Sequence, residues 1–514
     1  MENIMFGFSA KWLPSWLGSL SSMTGRGARR VPRRPGVRLA VEALEERVVL
    51  SASFGWAIAL ESAGTSNAVD VATDPAGNAI ISGFFNGTVD FDPAAAHVGN
   101  TDILTAGSVV GDIFFAKYAT DGSLLWASQM VGEAGSGGIT RSVTTDASGN
   151  VYLGGDFTGT VSFGGNFLTS VDGAKDGFVA KIGSDGTVLW AQRWGGAGKE
   201  YVYGITVDGA GNVFTAGTTS MEGSMVYTNL QIEKFSASGT LVWARQIGNS
   251  SGWNAGSGID TDTAGNIYVS GSFTGTVDFD PGTGTRNVKG GANNSGFVLK
   301  LTAAGNYGWV STFVNQTSTA ESSSHDLVVD GSNNIVVGGS YRGSVDFKPG
   351  SGTKTLPYEV YSGTVFGGGF LAKLDSAGYL VWAQQVGNGW AAVRSVALDT
   401  AGNVYAAGVF QGADTGVTRP SDFDPGAGTN ILTCNGKTDI FVAKYTAAGT
   451  YQWAVSLGGT GTDWTTGIAV DAAGNVYIAG YFYNTVDFDP DPLSIYKRTS
   501  AGGGNGFLLK LRQI

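Results

Sequence analysis

Gly177-Phe178-Val179-Ala180-Lys181-Ile182 is followed, across a short turn ending at Gly186, by Val188-Leu189-Trp190-Ala191. This lysine-then-tryptophan stretch decides the fold because it recurs along the chain with an offset. Its lysines are Lys117, Lys181, Lys234, Lys300, Lys373, Lys444 and Lys510. Its tryptophans are Trp56, Trp126, Trp190, Trp243, Trp309, Trp382 and Trp453, spaced 53 to 73 residues apart. Trp56 precedes every one of those lysines, and no tryptophan follows Lys510. A linear solenoid gains nothing from such a half-unit offset. In a closed ring the first strand can complete the last unit. The expected fold is therefore all-β: a seven-bladed β-propeller of four-stranded antiparallel blades, closed by residues 55–60 pairing beside residues 506–512.

Upstream of each lysine segment lies the other half of the unit. In the second, Val143-Thr144-Thr145-Asp146 leads through Ala147-Ser148-Gly149-Asn150 into Val151-Tyr152-Leu153-Gly154-Gly155. Short β-branched and aromatic runs bounded by Gly, Asp, Ser and Asn read as strands. The Asp-x-x-Gly-Asn turn starts at Asp74, Asp146, Asp208, Asp262, Asp330, Asp399 and Asp471. Aspartate there can bond forward to backbone amides, and the fourth position needs positive φ. Six units place Gly at that position and the fifth places Asn333, the side chain that best tolerates it. The order Asp-x-x-Gly-Asn-Val-Tyr, Asp-Phe-x-Pro, Phe-Val-x-Lys and Gly-x-x-x-Trp resembles the SBBP-type β-propeller repeat of bacterial secreted and surface proteins, over residues 54–514. That resemblance implies a fold and a location more than an activity.

Composition sets limits. Charged residues are only 14% and glycines number 82 of 514, which suits short buried strands joined by many turns. Residues 1–53 carry a net charge of +4, leaving −15 on residues 54–514. So acidic a body argues against nucleic acid as a partner. No run of apolar residues is long enough for a membrane-spanning helix. Cys434 is the single cysteine, so no disulfide forms within the chain. Residues 1–53 read as a basic, largely disordered leader, in which an arginine-rich stretch follows a mildly apolar one. That order is the reverse of a secretory signal. Leu44-Glu45-Glu46-Arg47-Val48-Val49-Leu50 instead resembles the LEPR-xLL segment of exported bacterial proteins, departing from it at Glu46 and Val49. The resemblance implies an export or sorting element and a secreted or cell-surface protein; a leader of no specific use is the plainer alternative.

Two tight turns per unit trim one face of the ring, so the long connections (86–111, 157–176, 274–295, 342–367 and 411–438) gather on the other. Long loops without structure of their own are often functional. Two features are expected there. Asp-Phe-Asp-Pro recurs with Asp90/Asp92, Asp278/Asp280, Asp422/Asp424 and Asp487/Asp489. Alternate residues of an extended segment share a side, and paired carboxylates suit Ca²⁺. The fifth unit has Asp346 with Lys348, which favours the plainer reading of a turn cap or a partner for the strand lysine. Aromatic side chains are the second feature. Trp253 and Trp390 share one offset from the turn aspartate, and Tyr201 and Trp464 another. They are candidates for binding a sugar ring or a protein partner, against the plainer reading of packing beneath the loops. The strand lysines and tryptophans read as architecture, with each lysine stem along an indole face.

Catalytic constellations are scarce. Only His97 and His325 exist, with no nucleophile elbow, zinc-protease helix or phosphate loop. The sequence therefore points to a non-catalytic, monomeric interaction scaffold that binds a protein or glycan on the long-loop face. The alternative is a propeller enzyme of lyase or hydrolase type, with a metal-assisted site at the axis and His325 and Glu321 as its nearest local residues.

Overall fold

The turn aspartate sets the geometry of each repeat. Asp74 Oδ1 accepts the amides of Ala76 and Asn78, each at 2.9 Å, and Oδ2 accepts Asn78 Nδ2 at 2.9 Å. Asp146, Asp208, Asp262, Asp330, Asp399 and Asp471 make the same three contacts. The reversal puts Gly77 at φ 80° and Asn333 at φ 61°, the left-handed conformation read from the sequence.

The computed structural model describes residues 52–62, 64–92, 102–196, 198–220, 228–248, 252–348, 352–361, 363–411, 421–501 and 503–513. The export-like segment and His97 lie outside the described residues. Among those residues there is no α-helix, only a 3₁₀ turn at Val171–Gly173.

Each turn closes a hairpin, and a second hairpin joins it to make an antiparallel sheet. In the second unit the order from the innermost strand outward is Gly137–Thr145, Val151–Thr158, Asp176–Ile182 and Val188–Trp194. Equivalent sheets start from Ser66–Thr73, Glu200–Val207, Asn254–Thr261, Glu321–Val329 and Ala391–Leu398. The seventh joins Trp464–Val470, Val476–Phe482 and Asn505–Gln513 to Ala52–Ala59, with Trp56 opposite Lys510. That terminal strand begins at Ala52, ahead of the boundary expected at residue 54.

The sheet count departs from the expected seven. Eight sheets have three or more strands, and none of them closes on itself into a ring. The additional sheet comprises Glu61–Ser62, Thr88–Asp90 and Ile103–Thr105. It forms because the long connections, expected to be irregular loops, contain pairing segments of their own. Thr160–Phe163 adds to the outer strand of the preceding sheet, Leu124–Gly132, and Thr485–Asp487 adds to Tyr451–Gly459 in the same way. Phe91, Phe163, Phe279, Phe347, Phe423 and Phe488 of these connections are fully buried. Burying a side chain of that size contributes roughly 1.5–3 kcal/mol. The connections thus clasp neighbouring sheets.

Repeated side chains fasten one sheet to the next. Trp126 Nε1 donates to Ser184 O at 3.1 Å, and a Cβ on Gly186 would stand 3.0 Å from the indole. Trp190, Trp309 and Trp382 hold the following unit's turn in the same manner. Trp56 of the seventh sheet does so to Thr120 O and Gly122 of the first. The expected lysine–indole packing is not what forms. Lys181, Lys300, Lys444 and Lys510 lie 4.8–5.1 Å from the ring centroid of the tyrosine on the second strand of their own sheet. Several also reach the turn aspartate, most closely Lys117 to Asp74 and Lys373 to Asp330, both at 2.8 Å. The indole points away to the next unit, which leaves the lysine the tyrosine face.

Candidate functional site: a ring of bulged residues around a central cavity

Every innermost strand carries a bulge at the position five residues before its turn aspartate. The ladder passes over Val69, Arg141, Tyr203, His325, Arg394 and Thr466, and in the fourth sheet over Ser257 together with Gly258. A bulge frees one side chain from the alternation of its strand and re-aims it. All of these residues line one cavity of about 660 Å³, walled by the innermost strands of the seven sheets that carry a turn aspartate.

The cavity wall is stitched by carboxylates. Asp70 Oδ2 accepts the Val143 amide at 2.8 Å, Asp260 Oδ2 that of Val329 at 2.8 Å, and Asp326 Oδ2 that of Val396 at 2.9 Å. Each bond spans two neighbouring sheets. Burial pushes Asp70 up to about 7 and Asp260 up to about 6, and raises Asp326 as well. Backbone amides pull each of them back down.

Two arginines share the ring on different terms. Arg141 pairs with buried Asp156, which also takes Lys175 Nζ at 2.9 Å, and its guanidinium stands 4.9 Å from the Tyr203 centroid. Arg394 stands 4.8 Å from the Trp464 centroid, and its Nε is buried with no hydrogen-bond partner. Beside it His325 Nδ1 donates to Val393 O at 2.7 Å, which leaves Nε2 as an acceptor. Burial, and then the Arg394 charge, hold His325 down at about 4, so its imidazole is neutral at pH 7. His325 and Arg394 also line a second cavity of about 220 Å³, together with Glu321, Arg342 and Trp390.

The structure sorts the aromatic candidates. Trp464 lines the larger cavity and Trp390, 53% exposed, lines the smaller. Tyr201 stacks behind Tyr203 with centroids 5.9 Å apart and planes at 18°. Trp253 lines neither cavity; its amide donates to Thr274 Oγ1 at 3.1 Å.

The paired aspartates fall in four separate connections and behave as turn caps. Asp278 Oδ1 accepts the amides of Asp280 and Arg286, and Asp422 Oδ1 those of Asp424 and Asn430. Asp487 caps Asp489 and Tyr496 likewise, and Asp90 caps Asp92. Asp346 does the same for Lys348 and Lys354. The fifth unit therefore keeps the cap without the second carboxylate. Asp280 and Asp424 each take a further turn amide, from Gly282 and Gly426. Ca²⁺ wants six to eight oxygens converging on one point. Among the described residues no three acidic, histidine or cysteine side chains converge for a metal.

Sequence reasoning missed Arg141, Tyr203 and Arg394. The signal that finds them is positional, because the residue five before each turn aspartate takes six residue types over the seven units while its surroundings repeat.

A family model described as SBBP, beta-propeller repeat, matches residues 189–221 and 452–481. Both matches run from the fourth strand of one sheet through the first two strands of the next. The chain thus carries SBBP beta-propeller repeats at these two places. An uncharacterized WD repeat-containing protein of Acanthamoeba polyphaga mimivirus is 27% identical over 292 residues, 52% of this chain. The match spans only 20% of that relative's length. Among solved structures, the WD40 domain of Pan2 from Neurospora crassa has 10% identity and a TM-score of 0.34, covering 73% of this chain and 89% of that one. Sqt1 from Chaetomium thermophilum has 10% identity and a TM-score of 0.40, covering 90% and 100%. No helix among the described residues is long and apolar enough to cross a membrane.

Proposed function

We propose that this protein is a non-catalytic interaction scaffold, exported to the medium or the cell surface, that binds a protein or glycan at the cavity mouth on the side of the long connections. One observation carries the reading. Lysine, tryptophan and turn-aspartate positions are chemically equal from unit to unit and engaged within the fold, whereas the bulge position takes six residue types over the seven units, arginine alone recurring, and faces the cavity. Equal positions build; unequal ones recognise. The export assignment rests on the resemblance of residues 44–50.

Glycan-array and pull-down capture by the full chain tests this. Arg394→Met and Trp464→Ala are expected to weaken capture roughly tenfold or more, the range for central anchors. Ser148→Lys, in a tight turn on the opposite face, is expected to leave it unchanged. Equal effects from both faces, with melting temperatures preserved, would contradict the reading. A second reading, a lyase- or hydrolase-type enzyme, draws on His325 and Glu321 lining one cavity.

A further inference from the structure

The smaller cavity lies along the fifth sheet and the start of the sixth, and it joins the larger one at His325 and Arg394. Trp390 presents a half-exposed indole to it. An indole so placed offers an apolar face to a flat ring. At about 220 Å³ the cavity is smaller than the roughly 300–1,000 Å³ of sites for drug-sized ligands and suits a single small ring.

Arg394 is the group that internal packing leaves open. Stacking on Trp464 fixes the plane of its guanidinium, and its buried Nε has no acceptor. Arg141, one of the same ring of bulged residues, is satisfied by Asp156. Buried donors are almost always paired, and this Nε finds no partner in the fold, so the guanidinium beside the cavity is open to an external acceptor. A carboxylate meets such a fork side-on, in two parallel bonds. Other groups of this cavity suit hydroxyls. His325 Nε2 is an acceptor, with Ser340 Oγ at 3.5 Å. The Glu321–Arg342 pair at 3.1 Å is close to half exposed. Glu321 also disfavours a carboxylate at its own end, which orients an acidic ligand toward Arg394.

We infer that the smaller cavity is a subsite for one uronate residue of an acidic glycan. The sugar carboxylate lies on Arg394, the ring against Trp390, and hydroxyls reach His325 and Glu321. This rests on the scaffold reading and names the ligand class of that same site. An acidic peptide would supply the carboxylate and leave the hydroxyl partners unused.

Calorimetric titration of the full chain with D-glucuronate, D-glucose and N-acetylglutamate tests the inference. Glucuronate is expected to bind at least roughly tenfold more tightly than either other probe, the scale of a charged hydrogen bond. Arg394→Met should reduce glucuronate to the level of glucose, and Trp390→Ala should weaken both sugars alike. If Arg394→Met fails to fold, Arg394→Lys, which keeps charge and loses the fork, should narrow the discrimination. Equal affinity for glucuronate and glucose, tighter N-acetylglutamate, or no binding of any probe would overturn the subsite. Partner capture that depends on Trp464 without glucuronate binding would keep the scaffold and remove the subsite. Glucuronate binding with capture indifferent to cavity substitutions would do the reverse.

Discussion

Trp309 donates to Ser376 O at 3.1 Å, and a Cβ on Gly378 would stand 2.8 Å from its ring, at a backbone φ of 86°. Gly378→Ala therefore meets strain and overlap together and should cost about 1–3 kcal/mol, read as a lower urea midpoint at unchanged slope. Full stability would mean that the indole does not sit on the turn. Carboxyl titration gives a second test. Asp439 and Asp463 are both fully buried, and burial first of all pushes them up to about 6 and about 7. Their folded values exceed the ordinary 3.8, so the native state holds more protons than the unfolded chain in between. The stability they contribute is complete below about pH 4 and is lost as pH rises through about 6 to 7. Turn aspartates work in the opposite sense. At Asp74 burial works upward, but hydrogen bonds from Lys117 and Asn78 win and hold it below its usual range, so its contribution fades in acid. Melting temperature should be higher at pH 5 than at pH 8, and Asp463→Asn should shrink that difference. A flat profile from pH 5 to 8 would contradict the assignment.

At the scale of elements, the strands and tight turns were legible because each depends on neighbours in sequence: aspartate with its own following amides, Gly or Asn at positive φ. The clasping ribbons were not, since Asp-Phe-Asp-Pro is short and its partners lie either across a long connection, as for Asp278 and Asp422, or also in another unit, as for Asp90 and Asp487. Its phenylalanine was the overlooked clue, for a wholly buried aromatic marks packing where paired aspartates suggested a metal. Bulges were equally hidden, because a single extra residue leaves the alternation of a short strand almost unchanged. Of the aromatic candidates, Trp464 and Trp390 reach cavities, while Trp253, which shares the offset of Trp390, does not. The cap reading makes its own prediction. Asp278→Ala should lower stability by about 1 kcal/mol through loss of its amide bonds, and excess Ca²⁺ after chelation should leave the melting temperature unchanged. A calcium-dependent rise that Asp280→Lys abolishes would restore the metal.

Across the whole molecule, the half-unit offset of lysine and tryptophan corresponds to the pairing of Ala52–Ala59 with Asn505–Gln513. Its consequences extend to the sixth sheet. No turn joins the third and fourth strands of the seventh sheet, so Trp453 has no turn carbonyl to hold, and its buried Nε1 lacks a partner. Gln513 Oε1 takes Lys444 Nζ at 3.0 Å, as the carbonyl of Ala447 takes Lys373 Nζ in the preceding pair of sheets. Deleting Ala52–Ala59 exposes a strand edge and removes Trp56 from Gly122, and should lower the melting temperature sharply. An unchanged melting curve would count against that strand as the fastening between first and seventh sheets.

The central claim is that recognition resides in the unequal residues of the bulge ring. The most direct measurement is the dissociation constant of one captured partner for single substitutions at each bulge position, beside single substitutions in each Asp-x-x-Gly-Asn turn, at preserved melting temperature. The account predicts losses of roughly tenfold or more concentrated at Arg394 and Tyr203, with the turn series close to unchanged. A bulge series no different from the turn series would contradict it.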